Sequence, residues 1–201
     1  MAEPKKPFYV SFQTSWIPGS VDHTRSNPGP STTGVNRAGY TSLKQRARVT
    51  FAWDNGQRRK DGMMPFFARS VNVFFWLDDF IVAVSSDYPA GSCVFNATRR
   101  HEVESHIYRP IKIFNSYRET LVTQLNAIQV PTEQTPFWLQ SPVIPSKQAQ
   151  LQSKVAQVVG SVKLQLVHTL RTDRESQDSP QSYQVVYNTC SPEDWARGRG
   201  R

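Results

Sequence analysis

YPAGSCVFNATRRHEVESHIYRPIKIFNSYRETLVTQLNAI, residues 88–128, is the stretch on which the reading of the whole chain turns. Its Pro-Ala-Gly-Ser opening stops a strand and starts a helix, with Ser92 placed so that its hydroxyl accepts from a first-turn amide. Apolar residues then recur at helical steps through Val103, Ile107, Ile111, Phe114, Leu121 and Leu125, the mark of one buried face. Pro110 interrupts the pattern without ending it, because the period resumes on its far side, so a kink is expected there.

The chemistry sits just before that proline. Residues four apart on a helix lie ~40° apart around the axis and ~6 Å along it. Two imidazoles at that spacing converge on one Zn²⁺ while a Glu between them handles a water, which is the logic of H-E-x-x-H. The run His101-Glu102-Val103-Glu104-Ser105-His106 holds one residue more, so on a regular helix its imidazoles stand ~140° apart. Three readings are open: a π-bulge that absorbs the added residue, a pair made of Glu102 and His106, or a charged helix start with no metal. Single π-turns occur mostly at functional sites, which favours the first.

The 201 residues suffice for one domain with a sizeable core, or one domain with a long arm. No apolar run reaches eighteen residues, so no membrane span is expected. The start, MAEPKKPFYV, has no apolar leader core, which fits either a cytoplasmic chain or one numbered after a removed leader. Two cysteines, Cys93 and Cys190, each beside chain punctuation, are compatible with one disulfide in an oxidising compartment, or with two free thiols in a reducing one. The net charge of +8 points to anionic partners such as nucleic acid, lipid headgroups or acidic envelope polymers. Zinc-knuckle spacing, ribonucleoprotein sheet motifs and Gly-rich phosphate loops are missing, which argues against a dedicated nucleic-acid fold.

Residues 8–14, FYVSFQT, read as a strand, and Ile17–Ser42, rich in Pro and Gly, reads as an irregular lid or arm, so that 1–45 form a strand plus arm. ARVTFAW (47–53) is a strand leading through Asn55-Gly56 into a tight turn. Phe66–Leu77 and Phe80–Ser85, separated by Asp78-Asp79, read as a hairpin. After a Pro-punctuated connection ending at a Ser146 cap, Lys147 to about Asp173 forms a second helix, and 192–201 a basic tail. Two long helices joined by one connection pack antiparallel. That brings His168, Asp173 and Glu175 alongside His101 and Glu102, with Cys190 returning towards Cys93.

GSC, then HE eight residues on, a second His, two long helices and finally DSPQSYQVVYNTC (178–190) resemble a family of small bacterial exported zinc-dependent proteases. The likeness covers Tyr88–Cys190. It implies His101 and His106 as metal ligands, Glu102 as general base and a Cys93–Cys190 disulfide in a periplasmic or secreted protein. The added residue departs from that pattern, but is similar to the H-E-x-x-x-H motif of a zinc-binding dipeptidyl-peptidase family.

The expectation is therefore an α+β, zincin-like domain over residues 46–191, with a small antiparallel sheet on two long antiparallel helices. It would be a zinc metallopeptidase acting on peptide or protein, active or degenerate, with His168 as third ligand ahead of Glu175 and Asp178, because imidazole suits zinc. Two other classes stand beside it: a structural or assembly component of an envelope or phage-like particle, and a polyanion-binding module.

Overall fold

The computed structural model describes residues 7–18, 20 and 39–197; most of the expected arm and residues 198–201 of the tail lie outside them. The chain is of the α+β class, with a four-stranded sheet and several helices. The strands are β1 (Phe8–Thr14), β2 (Gly39–Asn55), β3 (Met63–Val84) and β4 (Phe137–Gln140). The helices are α1 (Cys93–Val103), continued by a π-turn over Glu104–Tyr108 into α2 (Arg109–Asn126), then α3 (Ile144–Gln177), α4 (Pro180–Tyr187) and α5 (Pro192–Arg197).

Contacts divide the chain into two units. The first holds residues 1–13, 46–76 and 114–167. Its core joins Phe8 and Val10 of β1, Phe66, Val71, Val73 and Phe75 of β3, Phe114, Leu121, Val122 and Leu125 of α2, and Leu151, Val155, Val162 and Leu166 of α3. Phe12 stacks on Phe75 at 5.0 Å and leans on Phe114 at 4.8 Å. The sheet order is β1-β3-β2, with β4 also on β3. β4 runs antiparallel to β3, Met63 facing Gln140 and Phe66 facing Phe137. β2 is antiparallel to β3 as well, since Thr50 meets Asn72 while the later Asp54 meets the earlier Arg69. β1 is not: Pro7 bonds Val71 and Gln13 bonds Trp76, so the two strands advance together. The sheet is mixed rather than wholly antiparallel, which β1 can manage because all of β2 intervenes before β3.

The second unit holds residues 14–45, 77–113 and 168–201. Leu77, Val82, Val84, Val94, Phe95, Ile107, Leu170 and Trp195 form its core. Ser92 caps α1 as expected, accepting from the Phe95 amide at 3.2 Å. The Cys93–Cys190 disulfide is present. Beside it Trp195 of α5 packs on Tyr187 and Tyr88, so 192–197 is a packed helix rather than the start of a tail.

Three further expectations are corrected. β2 begins at Gly39, inside the stretch read as irregular. Phe66–Leu77 and Phe80–Ser85 are one strand, not a hairpin. A two-residue type I′ reversal needs positive φ at both central residues, whereas only Asp79 has it (φ 53°); the backbone dislocates there and the buried parity shifts at Leu77–Asp78. Ser146 lies inside the first turn of α3, its hydroxyl donating to the Val143 carbonyl.

Candidate functional site

Within the second unit, α1 arrives with His101 and Glu102 near its end, and the π-turn follows at once. Pro110 accounts for the turn. In a regular helix its ring would strike the His106 carbonyl four residues back, and it has no amide to offer. A wider turn relieves the clash: the Arg109 amide donates to the Glu104 carbonyl, five residues back. The same widening swings residues five apart towards one face. The His101 and His106 rings accordingly meet edge to face, with centroids 5.1 Å apart.

The acidic partner comes from the far end of α3. His106 pairs with Asp178 and, three residues on, Arg109 pairs with Asp173, so the two helical segments run antiparallel. His106 Nε2 lies 3.2 Å from Asp178 Oδ1. The Tyr183 hydroxyl donates to the same oxygen at 3.0 Å, and Arg174 Nε stands 3.6 Å from Oδ2. Burial works against the Asp178 charge, but the bond from His106, its proximity, Tyr183 and Arg174 outweigh it and hold the carboxyl down at about 2. The His101 imidazole is pushed down to about 4, by burial first and by neighbouring His106 second, against the pull of Asp178. It is therefore neutral at pH 7, the form that ligates metals.

Glu102 lies on the other side of α1 from the solvent and is only 3% exposed. Burial raises its carboxyl above the ordinary value, opposed by His106 and by the Thr41 hydroxyl, which donates to Oε2 at 2.6 Å. Strand β2 comes so close here that only glycine fits at position 39: a Cβ there would stand 2.7 Å from Glu102 Oε1 and 2.7 Å from Thr98 Cγ2. Arg174, which faces Asp178, also donates to the Thr41 carbonyl at 3.3 Å, so one side chain braces both carboxylates' surroundings.

Comparison with protein-family models, with curated proteins and with solved structures found no match. The site rests on its own geometry.

The expected residues divide accordingly. His101 and His106 come together with Asp178, their ligand atoms all within 4.8 Å of one another. His168 does not join them: it is exposed on α3, nearly three turns before Asp178. The donor set suits zinc, which takes imidazole and carboxylate ligands at ~2.0–2.2 Å, hence ~3.3–3.6 Å from one another in a tetrahedron. His106 Nε2 and Asp178 Oδ1 stand 3.2 Å apart, a hydrogen bond whose proton would have to leave and whose atoms would have to part slightly for an ion to lie between them, and His101 Nε2 is buried without a hydrogen bond, which an ion would remedy. Thr41, Gly39 and Tyr183 carry no sequence signal of their own. Asp178 does have one, since it stands immediately before the Ser179-Pro180 start of α4 and so at the tip of a helix turn.

Proposed function

We propose that the chain is a zinc-binding protein of the metallopeptidase class, with His101, His106 and Asp178 holding the ion and Glu102 as the base. The observation that carries this reading is the π-turn, which turns a spacing unfit for one metal into two converging imidazoles beside a carboxylate. Zinc held there supplies Lewis acidity, polarising an amide carbonyl and making water more acidic. The chain's own groups supply the rest. Asp178 is oriented by Tyr183 and Arg174, the outer-shell support that fixes a ligand's geometry. Glu102, its carboxyl raised by burial and steadied by Thr41, takes a proton from water and returns it to the leaving amine. The Cys93–Cys190 disulfide, which fits an oxidising compartment, is compatible with the same reading.

One observation favours a second reading. Glu102 is almost wholly buried and one of its oxygens is occupied by Thr41, as suits a degenerate site in which the ion only ties α1 to the turn after α3. The test is native mass spectrometry of untagged protein, chelated and then titrated with Zn²⁺, alongside hydrolysis of a mixed peptide library. One ion per chain, lost in Asp178→Asn and in His101→Ala, together with hydrolysis, supports the peptidase. One ion without hydrolysis supports the tie, and no stoichiometric ion overturns both.

A further inference from the structure

Little apolar packing holds the end of the chain to the second unit. Of the described residues beyond Gln177 only Trp195 is buried, and none of α4 is. Eight residues are too few for a helix to persist in water by itself, so α4 depends on what fastens its two ends. At its start Ser179 Oγ accepts from the Ser182 amide at 3.3 Å, and the Tyr183 hydroxyl donates to Asp178 Oδ1 at 3.0 Å. The Tyr183 ring leans on His101, with centroids 5.2 Å apart. At its far end the Trp195 indole N–H donates to the Tyr187 carbonyl at 3.1 Å. Just beyond, the disulfide joins Cys190 to Cys93, the first residue of α1. One short helix therefore has a reducible bond at one end and, at the other, a tyrosine that touches both His101 and Asp178.

We propose that this disulfide controls the ion: small thiols of the glutathione class reduce it, α4 comes loose, and the site loses its hold on zinc. The inference rests on the zinc reading of His101, His106 and Asp178 and adds the condition under which the ion is kept. Cys93 is exposed and Cys190 half-buried, so a thiolate attacks the Cys93 sulfur and Cys190 leaves as its thiolate. A second thiolate attacks the reductant's own sulfur in that mixed disulfide and frees Cys93. Two small thiols thus become one disulfide, and their two hydrogens end on the cysteines. With the bond open, Trp195 alone anchors the segment by burial, so α4 opens locally while α1 and α2 stay folded. Tyr183 then neither orients Asp178 nor packs on His101. Loss of such outer support weakens a metal site by about 10–100-fold. The coupling is reciprocal, so bound zinc makes the disulfide harder to reduce by the same factor.

Zinc affinity, read by competition with a chromophoric chelator, is compared between the oxidised full chain and Cys93→Ser with Cys190→Ser, which lacks the bond and has no thiol to bind the ion itself. Hydrogen exchange of the two metal-free proteins follows α4 directly. The paired variant should bind zinc at least about tenfold more weakly. Its residues 178–190 should lose their protection while α1 and α2 keep slowly exchanging amides. The parent reduced with a water-soluble phosphine should repeat that exchange pattern. Tyr183→Phe in the disulfide-bonded chain should weaken zinc comparably and add little in the paired variant, since both changes act through the same side chain. No zinc on the oxidised parent overturns the metal reading and the control with it. Zinc bound equally by parent and paired variant overturns the control alone. So do unchanged exchange in 178–190, loss of protection throughout α1 and α2, or a Tyr183→Phe effect that adds fully to that of the paired variant.

Discussion

Replacing Gly39 by alanine puts the approach of β2 to α1 to a quantitative test. In an exposed strand the change usually stabilises a protein by ~0.4–1 kcal/mol, because alanine restricts the unfolded chain. Here the added methyl would sit 2.7 Å from Glu102 Oε1, 2.7 Å from Thr98 Cγ2 and 2.8 Å from Glu102 Cγ. None of these can swing aside freely. Thr98 and Glu102 are both buried, and Glu102 is held by Thr41 at 2.6 Å. Overpacking of this kind costs ~1–3 kcal/mol, and if Glu102 yields instead, a hydrogen bond to a carboxyl worth about 1.5–3 kcal/mol is lost. Net destabilisation should be about 1–2 kcal/mol. Urea unfolding should give a lower midpoint at an unchanged m-value, and Thr98→Ser, which removes Cγ2, should recover part of the loss in the Gly39→Ala background. A neutral or stabilised Gly39→Ala protein would refute the close packing on which the shielding of Glu102 depends.

Glu102→Gln should leave zinc stoichiometry intact while peptide hydrolysis falls by roughly 10²–10⁴; loss of the ion instead would make Glu102 a ligand. Deleting Ser105 removes the residue that the π-turn absorbs, keeping α1 and α2 in register but driving the Pro110 ring against the preceding turn at about 3 kcal/mol. Pro110→Ala should restore that stability in the deletion, as read by thermal unfolding. Reduction of Cys93–Cys190, which closes a separation of 97 residues, should lower stability by ~4–5 kcal/mol on chain-entropy grounds, and thiol counting under denaturing, non-reducing conditions should find no free thiol.

The irregular helix was legible because two local facts demand it together: two histidines five apart and a proline four residues after the second. Ser92 and the run 8–14 were legible for the same local reason. What escaped depends on distance along the chain. Thr41 reaches Glu102 across 61 positions, and no property of a Pro/Gly-rich stretch announces that its end will pair into a sheet. Asp178 displaced His168 because α3 runs to Gln177, past the point where its apolar pattern fades, and so delivers its far tip rather than its penultimate turns. Asp78-Asp79 looks like a reversal in sequence, but one residue of positive φ dislocates a strand without turning it back. Parallel pairing of β1 leaves no trace in hydrophobic alternation, which reports a residue's face and not its strand's direction.

The disulfide has a consequence for resistance to proteolysis. Every group proposed to touch the ion, His101, His106 and Asp178, lies inside the covalent ring that Cys93 and Cys190 close. The same ring contains the exposed bend at Glu133–Thr135, between α2 and β4, where a foreign protease would find accessible backbone. A cut at that bend splits the polypeptide yet leaves both halves tethered, so a nicked molecule migrates as one species until it is reduced, and its ligands still meet without having to find one another by diffusion.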